Sequence, residues 1–147
     1  MKKLLSLLPL ALVAAILALP GAVSAEYGHQ KVVYHVNYDD PARHKAALGN
    51  IQNHINAVGA DKMDIKVIMH GPGLGLLRNA LTDADIQAGV DNLRLQGVDF
   101  GICNVTVTRG NIDILTDLYD STEANLVPSG VAEISHLQTQ GYTYLRP

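Results

Sequence analysis

Residues 31–59, KVVYHVNYDDPARHKAALGNIQNHINAVG, carry the clearest pattern of secondary structure in the sequence. From Lys31 to Asn37 apolar and polar residues alternate, which predicts a β-strand. Asp39-Asp40-Pro41 then offers an N-cap and a proline for the first helical turn. Leucine, isoleucine and valine recur at helical spacing from there until Gly59, which supplies a stop. The stretch therefore predicts one complete strand–turn–helix unit.

The same alternation of strand and helix continues to the end of the chain. Four further strands are predicted, at Asp64–His70, Val98–Cys103, Asn125–Val127 and Tyr142–Leu145. Helical sequence is predicted for a short piece at Leu76–Ala80, from a Thr82 and Asp85 capping box to Gln96, at Asn111–Tyr119, and from Val131 to Gly141. Such alternation implies right-handed crossovers and a three-layer α/β domain whose mainly parallel sheet has about five strands.

The amino-terminal segment, residues 1–25, differs from the rest and is expected to be a secretory signal peptide. Lys2-Lys3 forms its basic region, Leu4–Leu19 is a nearly unbroken apolar run, and Val23-Ser24-Ala25 offers small residues for cleavage before Glu26. A retained membrane anchor is the alternative, but the apolar run is short for a bilayer core, which needs about 20 apolar residues. We therefore expect a periplasmic or secreted protein without stable membrane insertion.

Removing the leader changes what the composition means for the domain at residues 26–147. Two of the 11 basic residues and none of the 14 acidic ones lie in the leader, so the domain is more acidic than the whole chain, whose formal charge is −3. An acidic domain is not expected to bind nucleic acid through its phosphates. The chain's single cysteine, Cys103, has no intramolecular partner. In an oxidising compartment it is therefore a buried inert thiol, an intermolecular disulfide or a reactive thiol.

Chemically distinctive residues follow the predicted strands, where parallel sheets collect their functional sites. His35 and Asn37 end the first strand, His70 ends the second, and Cys103-Asn104 ends the third. A thiol facing a helix N-terminus is shifted toward thiolate, and Asn104 or Thr106 could cap that helix and donate to the sulfur. The alternative for Cys103 is a small buried apolar side chain that completes its strand.

Two segments expected near Cys103 in the predicted sheet each have two possible roles. Gly71-Pro72-Gly73-Leu74-Gly75 can present backbone N–H groups to an anion or form one wall of a pocket, although a tight turn is favoured. His70 can exchange a proton with the thiol, or it is a hydrogen-bonded loop histidine. Gly71, Gly73, His70, Asn37, Asn104 and Thr106 are therefore candidate supporting residues around Cys103.

The sequence predicts neither a metal site nor a cofactor. Its six histidines lack the paired spacing of metal ligands. The glycine-rich turn lacks the G-x-G-x-x-G spacing of a dinucleotide site and the lysine of a nucleotide-triphosphate loop. A nucleophile elbow, G-x-S-x-G, does not occur either.

In order and spacing, several segments resemble the DsrE/DsrF-like family, particularly its small exported single-domain members. They are Val33–Val36, Leu48–His54, His70–Leu74, Phe100–Thr106, Val127–Val131 and Leu137–Tyr142. The resemblance implies a flavodoxin-like α/β fold, often assembled as trimers or hexamers. In the sulfur-relay members of the family, a cysteine at the position matching Cys103 carries sulfur as a persulfide and passes it to a partner protein. The resemblance implies this role for Cys103, because the Cys-Asn-x-Thr pattern is present here.

Two functional hypotheses follow. In the first, the protein is an exported sulfur-binding or sulfur-transfer protein, Cys103 holds sulfane sulfur as a persulfide, and separate proteins act as sulfur donor and acceptor. Because the chain has no second cysteine, the persulfide cannot collapse into an intramolecular disulfide. In the second, the protein is a noncatalytic oligomeric module that binds a small ligand or serves as an adaptor, and Cys103 is structurally buried.

Overall fold

A computed structural model describes residues 26–147 and contains five strands and five α-helices. The strands are β1 (Gln30–Val36), β2 (Met63–Met69), β3 (Asp99–Cys103), β4 (Leu126–Val127) and β5 (Thr143–Leu145). The helices are α1 (Pro41–Val58), α2 (Gly75–Asn79), α3 (Ala84–Leu95), α4 (Asn104–Gly110) and α5 (Gly130–Thr139). The predicted leader lies outside the described residues.

The five strands form one sheet in the order β4-β3-β2-β1-β5, and every neighbouring pair is parallel. β1 lies between β2 and β5, in register from Gln30 opposite Met63 to Val36 opposite Met69. Parallel pairing of consecutive strands requires the helical crossovers that the sequence predicts. The predicted α/β fold with a parallel sheet of about five strands is therefore confirmed.

The first strand–turn–helix unit forms as its sequence predicts. Asp40 is the N-cap of α1, and its carboxylate accepts hydrogen bonds from the N–H groups of Ala42 and Arg43. Pro41 is the first helical residue, where its missing N–H costs no hydrogen bond. Gly59 ends the helix at φ +101°, a conformation that favours glycine.

One predicted helix cap and one predicted helix are wrong, each because of a specific hydrogen bond. α3 is capped by Asp83, whose carboxylate accepts from the N–H groups of Asp85 and Ile86, so Thr82 and Asp85 do not form the capping box. Residues 111–119 form turns instead of a helix. Asp113 accepts from the N–H groups of Leu115 and Thr116 as a helix cap does, but only one turn follows, in which the Asp117 N–H donates to the Asp113 carbonyl. The Tyr119 N–H then donates to the Leu77 carbonyl, outside the segment, so the helix does not continue.

The sheet is covered on both sides, which gives the three layers. On one side α1, α2 and α3 enclose the larger core, which includes Tyr34 of β1 and Ile102 of β3. On the other side α5 covers a smaller cluster built on Val33, Ile68 and residues of α5 itself. The predicted three-layer arrangement of the flavodoxin-like type is therefore confirmed.

The helices are all short or amphipathic. Within residues 26–147, none is both long and apolar enough to cross a membrane.

Candidate functional site

The candidate site lies at the carboxyl edge of the sheet, on the side that α5 covers. Side chains alternate between the faces of a strand, so His35 shares the face of Val33, and His70 shares that of Ile68. Cys103 ends β3 and approaches the first residue of α5, Gly130. A methyl group placed on Gly130 would lie 3.0 Å from the Cβ of His70 and 3.3 Å from the Cβ of Cys103. Gly130 thus lets α5 approach the two side chains closely.

Cys103 and His70 open onto one cavity of about 550 Å³ beside α4 and α5. The residues that line it are His70, Gly71, Cys103, Val105, Thr106, Arg109, Gly110, Ser129 and Val131. Four of the seven candidate residues proposed from the sequence are therefore brought together: Cys103, His70, Gly71 and Thr106. Cys103 itself is only 5% exposed, so its sulfur forms part of the floor of the cavity.

The surroundings of Cys103 favour its ionised form. Burial raises the pKa of the thiol, but hydrogen bonds to the thiolate outweigh this effect and bring the pKa below its ordinary value. The donors are the Gly130 N–H, the Thr106 hydroxyl and N–H, and the Val105 N–H. A thiolate is the nucleophilic form of cysteine, so this arrangement can support covalent chemistry at sulfur.

Thr106 connects Cys103 to the turn after β2. Its hydroxyl oxygen accepts a hydrogen bond of 2.9 Å from the Gly71 N–H, and the hydroxyl also donates to the cysteine sulfur. Gly71 has φ +53°, a conformation that favours glycine, and in this conformation its N–H reaches Thr106. The role expected of Thr106 as a donor to sulfur agrees with this geometry, whereas its role as a helix cap does not, because no side chain caps α4.

Three candidate residues lie outside the cavity lining. Asn104 is exposed on the first turn of α4 and caps nothing. Asn37 accepts hydrogen bonds from the Arg146 guanidinium, at 2.9 Å for the shorter. Gly73 is buried where the turn crosses the end of β1, and a Cβ there would lie 2.0 Å from the Val36 carbonyl oxygen. Gly73 therefore permits a close backbone approach, as in the tight turn favoured from the sequence.

A hydrogen-bonded chain of three side chains adjoins the cavity and was not anticipated from the sequence. The Nε2 atoms of His35 and His70 are 2.7 Å apart, and the Nδ1 of His35 lies 2.7 Å from the hydroxyl of Tyr144. The two imidazole rings are inclined at 28°, with centroids 4.7 Å apart. His70 belongs to both the chain and the cavity lining, and it therefore connects them.

Both histidines of this hydrogen-bonded chain, His35 and His70, are neutral at pH 7. Burial lowers the pKa of His35 to about 4, with further lowering by the nearby His70 and Arg146. Burial also lowers the pKa of His70. Since a neutral imidazole carries one N–H and one bare nitrogen, each ring can donate one hydrogen bond and accept one.

The alternation of side chains along a strand was the sequence signal that could have identified His35, because it places His35 on the same sheet face as Val33. No comparable signal marks Arg109, Ser129 or Val131. They reach the cavity because α4 and the start of α5 converge on it, and this convergence depends on tertiary packing.

Among the residues that the structure describes, no group of three or more His, Cys, Asp or Glu side chains is placed to hold a metal ion.

Comparison with known proteins assigns the family. The sequence profile of the DsrE/DsrF-like family matches residues 30–147. A protein of unknown function from Methanobacterium thermoautotrophicum, MTH1491, has a similar solved structure, with a TM-score of 0.69 and 30% sequence identity over 80% of this chain and 99% of its own. No curated protein matches the sequence. Because the profile covers most of the chain, including every strand and the Cys103 cavity, the protein belongs to the DsrE/DsrF-like family.

Proposed function

We propose that this protein binds and transfers sulfur, and that Cys103 holds the sulfur as a persulfide. Membership of the DsrE/DsrF-like family indicates a role related to sulfur relay. The observation that carries the finer proposal is the Cys103 thiol, whose pKa is lowered by four hydrogen bonds from the protein while its sulfur borders an open cavity. A purely structural cysteine needs neither the donors nor the access.

The proposed step is a displacement at sulfur that needs no oxidant or reductant. The Cys103 thiolate attacks the outer, sulfane sulfur of a donor such as thiosulfate. A bond forms between Sγ and that sulfur, the bond to the sulfonate sulfur breaks, and its electron pair leaves on sulfite. The products are the Cys103 persulfide and sulfite, and the total charge is unchanged. An acceptor thiolate then removes the outer sulfur and restores Cys103.

The cavity lining supports an anionic sulfur donor. Arg109 borders the cavity, and its guanidinium makes no ion pair with any residue from 26 to 147. No carboxylate of this described part of the chain lines the cavity. A cation beside a thiolate offsets the repulsion that the thiolate would exert on an incoming anion. Val105 and Val131, both partly exposed, add apolar walls for a larger donor.

The alternative is a noncatalytic binding module in which Cys103 is the floor of a ligand pocket. The observation in its favour is the low exposure of Cys103. In this case the cavity would hold its ligand without a covalent bond, and the sulfur would contribute van der Waals contact only.

The decisive experiment is intact-mass measurement after exposure to thiosulfate or polysulfide. The wild-type protein is expected to gain one sulfur atom that a thiol reductant removes, and Cys103→Ser is expected to gain none. Thr106→Val is a graded variant: it removes a donor to the thiolate, so its thiol should titrate at higher pH in an alkylation assay. A wild-type protein that gains no sulfur from either donor would favour the binding module.

We also propose that the protein is exported and works as an oligomer with separate sulfur donor and acceptor proteins. The basic and apolar leader sequence supports export, and family resemblance supports a trimer or hexamer. Amino-terminal sequencing of the protein from its native cell should begin at Glu26. Light scattering of that product should give three or six times the mass of one chain, and a monomer would contradict the proposed assembly.

A further inference from the structure

We propose that Tyr144, His35 and His70 form a proton-transfer chain between solvent and the Cys103 cavity, in which His70 exchanges protons with the reacting sulfur atoms. The inference rests on the proposed sulfur transfer and adds the source and destination of its protons. His70 would be the catalytic member, since it borders the cavity, and His35 and Tyr144 would be positioning residues that act through it.

The hydrogen bonds permit two directions of donation along the chain. In the first, the Tyr144 hydroxyl donates to His35 Nδ1, and His35 Nε2–H donates to His70 Nε2, so His70 carries its proton on Nδ1. In the second, His70 Nε2–H donates to His35 Nε2, and His35 Nδ1–H donates to the tyrosine oxygen, so His70 Nδ1 is bare. His70 is therefore an acid in the first state and a base in the second.

The two ends of the chain have the environments that such a relay needs. Tyr144 is 38% exposed, so its hydroxyl can exchange protons with water. His35 is 9% exposed, which shields the middle of the chain from solvent. His70 and Cys103 meet around Gly130 and border the same cavity. A proton can thus pass from the surface to the cavity through three hydrogen-bonded side chains.

Proton transfer matters most when the donor is an alkyl persulfide. The donor reacts as its persulfide anion: Cys103 gives its thiol proton to His70, the thiolate attacks the outer sulfur, and the donor's S–S bond breaks with its electron pair on an alkyl thiolate. That thiolate takes up a proton from His70, so the products are the Cys103 persulfide anion and a free thiol. The proton lost by Cys103 equals the proton gained by the leaving group, and no oxidant or reductant takes part.

Other charged groups near the chain bear on its pH dependence. Arg146, after β5, adjoins His35, and Arg109 of α4 borders the cavity with Cys103. Glu133 of α5, the helix that covers this side of the sheet, adjoins Lys66. Because guanidinium groups in general do not titrate there, changes in the pH profile between about pH 4 and 9 report on the histidines and the thiol.

The test compares two sulfur donors with different leaving groups. We expect Tyr144→Phe and His35→Gln to slow sulfur loading from an alkyl persulfide roughly tenfold, because the leaving thiolate needs a proton. Loading from thiosulfate should change less than about twofold, since sulfite is a far weaker base than an alkyl thiolate. Tyr34→Phe is the matched control: it also removes a tyrosine hydroxyl bonded to a histidine, and it should leave both rates unchanged.

A general distortion of the cavity would slow loading from both donors equally, and that result would overturn the relay. Unchanged rates with both donors would overturn it too. The pH profile with alkyl persulfide gives an independent readout: the alkaline limb should fall at lower pH in the variants than in the wild type.

Failure of the proposed function is distinguishable from failure of the relay. If the wild-type protein loads sulfur from neither donor, the proposed sulfur transfer is wrong. The relay can then still be tested by measuring which ring nitrogens of His35 and His70 carry a proton. Two-bond ¹H–¹⁵N correlation spectra should show His35 and His70 exchanging between both tautomers, with the exchange altered in Tyr144→Phe. A single fixed tautomer at both residues in the wild type would overturn the relay.

Discussion

Tyr34 and His35 are neighbours on β1, and each takes part in a tyrosine–histidine hydrogen bond, but the bonds lie on opposite faces of the sheet. On the α1 side, the Tyr34 hydroxyl lies 2.8 Å from His54 Nδ1, and His54 Nε2 lies 2.8 Å from the Gln30 side-chain oxygen. On the α5 side, Tyr144, His35 and His70 form the chain described above. Both are three-membered chains with a histidine in the middle.

The two hydrogen-bonded chains differ in their third side chain, which is Gln30 in one and His70 in the other. The Gln30 side-chain oxygen can only accept, so His54 Nε2 must donate and His54 Nδ1 must accept from Tyr34. The direction of that chain is fixed. The other chain ends in an imidazole nitrogen of His70, which can either donate or accept, so its direction can reverse. One chain is suited to hold α1 on the sheet, and the other is suited to move a proton.

The largest effect that separates the chains should appear in the pH dependence of stability. The pKa of His35 falls to about 4 in the folded state, so between about pH 4 and 6.5 the unfolded chain binds more protons than the folded one. Folding is therefore stabilised above pH 6.5, and this contribution is lost as the pH falls toward 4. The loss should reach about 3 kcal/mol at most, from 1.4 kcal/mol per pKa unit.

Urea denaturation at several pH values measures this effect. The difference in unfolding free energy between wild type and His35→Gln should change over that window, because glutamine does not titrate. Tyr34→Phe, in the chain of fixed direction, should follow the wild-type slope. Parallel curves for wild type and His35→Gln would show that His35 takes up its proton equally in the folded and unfolded states.

The two tyrosine hydroxyls should differ next in their contribution to stability. Tyr34 is 4% exposed, so Tyr34→Phe leaves the His54 nitrogen without its donor in a partly buried place, and about 1–2 kcal/mol of stability should be lost. Tyr144→Phe lies where water can replace the hydroxyl, so its cost should stay within about 0.5 kcal/mol. Denaturant titration at pH 7 measures both.

A double-mutant cycle sharpens this prediction. Tyr34→Phe and His54→Leu should be less costly together than the sum of the single variants, with a coupling of about 1 kcal/mol. Equal losses for Tyr34→Phe and Tyr144→Phe would mean that burial does not distinguish the two chains.

Much of the fold could be predicted from local sequence, because strand alternation and helix caps are local. Asp40-Pro41 and Gly59 act within one turn of α1, and the structure confirms all three. The helix predicted at residues 111–119 failed because apolar spacing does not reveal a long-range hydrogen bond, here from the Tyr119 N–H to the Leu77 carbonyl. Local periodicity therefore predicts elements well where the backbone N–H groups bond within the segment.

The site was predictable only where strand ends determine it. Cys103 ends β3 and His70 follows the adjacent parallel strand β2, so their proximity could be predicted from that order. The His35–His70 hydrogen bond requires the parallel register of β1 and β2, and Tyr144 requires β5 to pair on the other side of β1. Neither strand pairing can be predicted from a local sequence pattern, so the reversible hydrogen-bonded chain could be identified only from the structure.

The smallest expected effect concerns a single proton on His54. Because Gln30 accepts through its side-chain oxygen, wild-type His54 should carry its proton on Nε2 alone, as read from two-bond ¹H–¹⁵N correlations. Gln30→Ala removes the fixed acceptor, so His54 should begin to populate the Nδ1–H tautomer, with a stability change of only a few tenths of a kcal/mol. The His35 and His70 signals should not change. A wild-type His54 protonated on Nδ1 would show that the Tyr34 chain runs in the opposite direction, and the distinction between a fixed and a reversible chain would then be lost.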